Sequence, residues 1–149
     1  MIKIVCVGKI KEKYLSLAIA EYLKRLSKYT KVDIVQVADE ANAEKALKVE
    51  GEKILSKIRA DEYVIALDIS GESISSIEFA KKIDNVFNSY SKLTFVIGGS
   101  YGLSSQVKKR SDYLLSFSKM TFPHQMFRVI LLEQIYRAYK INNNESYHK

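Results

Sequence analysis

Five short apolar runs punctuate the chain, and each is followed by a stretch with helical spacing. The runs are "KIVCVG" (3–8), "KVDIVQVAD" (31–39), "EYVIALD" (62–68), "KLTFVIGG" (92–99) and "DYLLSFS" (112–118). Each is too short for a helix and rich in β-branched or aromatic residues, so each reads as a strand. Between the first two, Tyr14, Leu15, Ala18, Ile19, Tyr22, Leu23 and Leu26 recur at helical intervals across 12–29. Residues 42–59 and 75–89 read as further helices, 104–110 as a short one with Ser104 as its N-cap, and about 123–141 as a long one. The "ISGES" after the third run reads as a turn. Strands alternating with helices predict an α/β fold with a mostly parallel sheet of five strands. No repeat, low-complexity segment or linker interrupts the pattern, so a single domain over 1–149 is expected.

In such sheets ligands sit beyond the carboxyl ends of the strands. Three loops leave those ends, after Leu67-Asp68, after Ile97 and after Leu115. If their strands are neighbours, Leu67, Gly98 and the 116–122 loop converge on one pocket. "IGGSYGLS" (97–104) suits such a site, because glycine admits positive φ and lets a ligand approach the backbone. Gly98, Ser100 and Gly102 also fit the G-x-S-x-G of a serine hydrolase, with Asp112 and His124 following in hydrolase order. Geometry counts against that alternative. Asp112 opens the next strand, at the opposite end of a parallel sheet from Ser100.

"MTFPHQMFR" (120–128) joins a loop to the start of the long helix. Pro123 suits the first helical turn, and Phe122 is no N-cap, so the first N–H groups are left free for a ligand. His124 and Arg128 share a helix face. Arg128 is the more notable, because Met126, Phe127, Val129 and Ile130 around it are apolar. From Met126 to Ile141 the apolar stripe is wider than one side of a monomer requires. The helix is either buried within the domain or part of a subunit interface. Glu133 and Arg137 are spaced for an ion pair. "VKKR" (107–110) forms a basic cluster after the glycine loop, and the polar tail ends in Tyr147-His148-Lys149.

The net charge of +7 favours an anionic partner, nucleic acid first and a membrane surface second. No apolar run approaches the roughly 20 residues that span a bilayer, and the N-terminus does not read as a secretory signal. A cytoplasmic protein is expected. The single Cys6 and two distant histidines make a poor metal-ligand set, so no metal is expected. The glycine loop lacks the ending of a P-loop.

The order of "KIVCVGKIKEKYL", "LDISGES", "FVIGGSYGLS", "SFSKMTFPHQMFRVILLEQIYRAYKI" and "YHK" resembles the RlmH (YbeA-type) family of ribosomal RNA methyltransferases, in the SPOUT superfamily. The resemblance runs the full length. It implies a SPOUT-type α/β fold with a C-terminal trefoil knot, and a homodimer. It implies S-adenosylmethionine held by Leu67, Gly98 and the loop Phe117, Ser118, Lys119, Met120, Thr121 and Phe122. The implied reaction is methylation of N3 of a pseudouridine in the intersubunit stem-loop of large-subunit ribosomal RNA, on assembled ribosomes. Arg128, Tyr147 and His148 are then the expected catalytic groups, with His148 a candidate proton acceptor. His124, Lys108, Lys109, Arg110 and Lys149 are the expected RNA contacts. The alternative from another class is a non-catalytic ribosome-binding module. Family members often carry Pro before the terminal Tyr-His, where this chain has Ser146.

Overall fold

A computed structural model describes all 149 residues. The elements follow in chain order as β1 (Ile2–Val7), α1 (Lys13–Leu26), β2 (Val32–Val37), α2 (Ala43–Leu55), β3 (Tyr63–Glu72), α3 (Ser76–Val86), β4 (Leu93–Ile97), α4 (Ser105–Arg110), β5 (Tyr113–Leu115) and α5 (His124–Asn142). The five strands form one sheet in the order β2-β1-β4-β3-β5, and every pairing is parallel. The expected α/β architecture is therefore present, with β4, β3 and β5 as consecutive neighbours.

Both faces of the sheet are covered, which explains why the strands read as continuous apolar runs. Ile2, Ile4 and Cys6 of β1, Ile65 of β3 and Leu93, Phe95 and Ile97 of β4 point to the larger core, shared with α1, α3 and α5. Val5, Val7, Val64, Ala66 and Val96 point to the smaller core, closed by Ile54 of α2 and Val107 of α4. α5 lies between α1 and α3 on the larger face. Leu131, Leu132, Ile135 and Ala138 are buried, and no residue from His124 to Ile141 is fully exposed. Its wide apolar stripe thus has one sufficient cause inside the chain: the sheet below and a helix on each flank.

Local sequence fixes most element ends. Ser75 and Glu78 form a capping box at α3, Asn42 caps α2 through the amide of Glu44, and Ser104 caps α4 through that of Val107. Two expectations need correction. The "ISGES" segment does not end β3. Leu67 and Glu72 both stand in register with Leu115, so residues 68–71 bulge out of the ladder and the strand resumes. At Gly71 an added Cβ would come within 2.6 Å of the Leu114 backbone, so only glycine fits the crossing. β5 is also shorter than "DYLLSFS", because Ser116 donates its amide to the Glu72 carbonyl and the chain then leaves the sheet.

One polar cluster lies within the smaller face. Lys3 and Thr94 stand opposite each other on β1 and β4. Glu62 Oε1 accepts from Lys3 Nζ at 2.7 Å, and Oε2 accepts from the Thr94 hydroxyl at 2.7 Å. Lys92 Nζ is 3.9 Å from the same carboxylate. Burial alone would raise the Glu62 pKa, but the hydrogen bonds from Lys3 and Thr94 outweigh it and hold the group below its usual value. A folded-state pKa below the unfolded one contributes stability that is complete at neutral pH and is lost as pH falls through the carboxylate range. Lys3→Met should therefore destabilise the fold by about 3 kcal/mol at pH 7, the cost of a buried unpaired charge. The loss should shrink below about pH 4, where Glu62 takes up a proton, and Lys3→Met with Glu62→Gln should recover most of it. Urea midpoints at both pH values provide the check, and an unchanged midpoint at pH 7 would contradict this role.

Candidate active site

The bulge of β3 and the carboxyl ends of β4 and β5 surround a cavity of about 250 Å³. Leu67 and Asp68 line it from β3, Gly98 and Gly99 from the loop after β4, and Phe117, Ser118, Met120, Thr121 and Phe122 from the loop after β5. The convergence expected from the three loops is observed. Most of the wall is apolar, with a few polar groups from Asp68, Ser100, Ser118, Thr121 and His124. That mixture is common in sites that hold a flat apolar moiety and orient it by hydrogen bonds.

The glycine loop is a tight backbone cradle. Gly102 donates its amide to the Gly99 carbonyl and holds φ at +81°. A Cβ at Gly98 would lie 2.6 Å from the Gly102 carbonyl oxygen, and one at Gly99 would lie 2.9 Å from Glu50 Oε1. Gly98 is therefore required by its own loop before any ligand is considered. The 117–122 loop is pinned from α5. Phe127 meets Phe117 and Phe122 edge-on, with ring centroids at 5.1 and 5.6 Å. The Ser118 hydroxyl accepts the Met120 amide.

α5 starts beside this loop without a side-chain cap. Pro123 occupies the N-cap position itself, one residue earlier in the helix than the sequence suggested. The first turn of α5 therefore carries backbone amides with no side-chain acceptor, next to the cavity that His124 and Phe127 line. His124 lines the same cavity, and burial together with the Arg128 charge pushes its pKa down, so it is neutral at pH 7. Asp68 stays ionised. Burial opposes this, but hydrogen bonds from Ser70 and the charge of Lys108 hold its pKa below the usual value.

The other expected site residues fall elsewhere. Arg128 points away from the cavity, is 1% exposed, and donates from Nη2 to the carbonyls of Val7 and Gly8. The positive φ of Gly8, +85°, shapes the end of β1 there. "VKKR" is not a free basic cluster. Lys108 pairs with Asp68 at 3.5 Å, and Arg110 donates to the carbonyls of Arg59 and Glu62, near the amino end of β3. Lys109 remains exposed, as do Lys119 and Lys149. Lys119 does not line the cavity.

The tail is folded back rather than frayed. Tyr147 meets Tyr136 edge-on at 4.9 Å, and the Arg137 guanidinium lies 4.9 Å from the Tyr147 ring centre. Arg137 also pairs with Glu133 at 2.8 Å and donates from Nη1 to His148 Nδ1 at 3.0 Å. Glu145 adds a second clasp, accepting from Lys140 and Tyr29. Sequence spacing indicated the Glu133–Arg137 pair but gave no sign that it holds the tail. It also missed Glu50, which looks like one more charge on a charged helix and is buried beneath Gly99.

The hydrolase triad is not assembled. The Asp112 carboxylate accepts the Val64 amide at 2.8 Å, away from the loop that carries Ser100. No cluster of three His, Cys, Asp or Glu residues has metal-binding geometry, and no helix is long and apolar enough to cross a membrane.

Comparison with known proteins bears on the family and the fold. A family model described as "Predicted SPOUT methyltransferase" matches residues 1–148. The ribosomal RNA large subunit methyltransferase H of Clostridioides difficile (strain 630) is 57% identical over 99% of both chains. The protein of the same name from Lactobacillus helveticus (strain DPC 4571) is 56% identical, again over 99% of each. A putative ribosomal RNA large subunit methyltransferase H of Methanococcus maripaludis (strain C5 / ATCC BAA-1333) is 54% identical over 99% of both. Among solved structures, a probable methylase family protein from Haemophilus influenzae Rd KW20 matches with a TM-score of 0.58 at 17% identity, covering 99% of this chain and 70% of that one, a likeness of fold. With the parallel sheet, the cradle at its carboxyl edge and a full-length match at more than half identity, the chain belongs to the SPOUT methyltransferase family.

Proposed function

We propose that this protein transfers a methyl group from S-adenosylmethionine to N3 of a pseudouridine in the intersubunit stem-loop of large-subunit ribosomal RNA, on the assembled ribosome. The observation that carries the reading is the pocket where Leu67, Gly98 and the 117–122 loop meet the uncapped start of α5. The names of its relatives supply the substrate class. On this reading the chain is one cytoplasmic methyltransferase domain, and the family's C-terminal knot belongs to the same proposal.

The residues present suit the cofactor. The Gly98–Gly102 cradle admits close backbone approach, Leu67, Phe117 and Phe122 supply apolar walls, and Ser118, Thr121 and free amides supply hydrogen bonds. When bound, S-adenosylmethionine supplies a methyl group on a sulfonium, which needs positioning more than covalent help. The chain's own contribution is to exclude water with the Phe117–Phe122–Phe127 cluster and to present Asp68 and neutral His124 at the rim. Tyr147, His148 and Arg137 form a second polar group at the tail. In a homodimer joined through the half-buried outer face of α5, around Val129 and Ile130, one subunit's tail group would complete its partner's pocket.

Calorimetry should show saturable S-adenosylmethionine binding that Thr121→Trp, a change on an exposed loop residue of the cavity, abolishes without moving the melting temperature. Full affinity in that variant would place the cofactor elsewhere, and no binding in the wild type would favour the non-catalytic ribosome-binding module.

Removing residues 147–149 should leave cofactor binding intact and reduce methyl transfer to ribosomes sharply. It should also cost about 1 kcal/mol of stability, because Tyr147 packs on Tyr136 and Arg137. Undiminished methylation by the truncated protein would remove the tail from the mechanism.

A further inference from the structure

Arg128 is the largest fully buried side chain of the molecule, and it has no counter-charge. Only its Nη2 is hydrogen-bonded, to the carbonyls of Val7 and Gly8. Nε and Nη1 are buried without a partner, and no ion pair of the chain includes Arg128. Leaving a buried cation and two of its donor nitrogens unsatisfied is costly, so such a group points to a ligand. The ligand has a place to sit. Arg128 lines a second cavity, of about 540 Å³, formed on the α1 side by Lys9, Ser16 and Gln36 with Ile19 and Ile34. This cavity shares no residue with the one at the bulge of β3 and the ends of β4 and β5. No acidic side chain lines it. Its polar lining residues are Lys9, Ser16, Gln36 and Arg128, two cations and two neutral donors with no carboxylate, a set that suits a phosphate better than a cation.

We infer that this cavity is a phosphate-binding site, with Arg128 as its buried anchor and Lys9 as its exposed arm. The phosphate is either one from the backbone of the bound RNA or a free phosphate ion. The RNA source rests on the methyltransferase reading above; the phosphate chemistry does not. A backbone phosphate there would hold RNA at the end of β1, beside α1, and leave the other cavity to the cofactor. Arg128 grips the carbonyls of Val7 and Gly8 on one side and the phosphate on the other, so RNA contact and the end of β1 share one side chain.

The test uses Gln36→Glu, because Gln36 is exposed on β2 and Arg128 itself braces the fold. The new carboxylate takes the place of the phosphate against Arg128. Inorganic phosphate, compared with chloride at equal ionic strength, should raise the melting temperature of the wild type by about 3 °C. Gln36→Glu should raise it by a similar amount without phosphate and should no longer respond to phosphate. Lys9→Gln should weaken the phosphate response without stabilising the protein. In ribosome methylation, Gln36→Glu should raise KM at least tenfold while S-adenosylmethionine affinity holds, if the phosphate belongs to RNA. An unchanged KM with the phosphate response lost assigns the site to the free ion. No wild-type response to phosphate would overturn the inference. So would an equal response in Gln36→Glu. Absence of a phosphate response combined with dissociation of the dimer by Gln36→Glu would show instead that a partner subunit's carboxylate fills the cavity. A wild type that responds to phosphate but methylates no ribosome would sink the functional reading and leave the site standing.

Discussion

The packing of α5 between α1 and α3 is the constraint on which the carboxyl edge of the molecule depends. Its middle is locked by Leu131, Leu132 and Ile135 against the sheet, which fixes where its first turn stands. From there Phe127 pins the 117–122 loop by two edge-on aromatic contacts, and that loop closes the cavity at the bulge of β3 and the end of β4. The same helix carries Arg128 to the end of β1, and its last turns carry the residues that hold the tail. One helix thus sets the position of the cavity, the buried cation and the terminal Tyr-His.

Much of this was legible in the sequence. Continuous apolar runs separated by helical spacing gave the parallel sheet, because a strand covered on both faces has no polar side to show. Loop placement gave the pocket, since Gly98 and Phe117 follow β4 and β5, and Leu67 stands in β3 just before its bulge, level with Leu115. The width of the apolar stripe on α5 signalled heavy burial. The composition of "ISGES" is that of a turn, whereas the pairing of Glu72 with Leu115 that continues the strand is a long-range contact. Spacing likewise says nothing about where a long side chain points. Arg128 shares a helix face with His124, yet its guanidinium runs to Val7 and Gly8. Lys108 and Arg110 look like free charge in sequence and are tied to Asp68 and to backbone carbonyls in space.

The excess of positive charge is also distributed differently from what a basic cluster suggests. Several cations are paired or stacked: Arg25 with Glu21, Arg137 with Glu133, Lys140 with Glu145, and Lys82 over Tyr113. On the proposed function, attraction for RNA would rest on the cations left exposed, such as Lys9, Lys109 and Lys149, and binding should weaken as salt rises.

The most direct test of the account follows the methyl group itself. Ribosomes from a strain lacking the corresponding modification would be incubated with the protein and isotope-labelled S-adenosylmethionine, and the large-subunit RNA mapped by mass spectrometry. One labelled methyl group is expected, on N3 of a pseudouridine in the intersubunit stem-loop. Label on another nucleotide, or none from a protein that binds the cofactor, would contradict it.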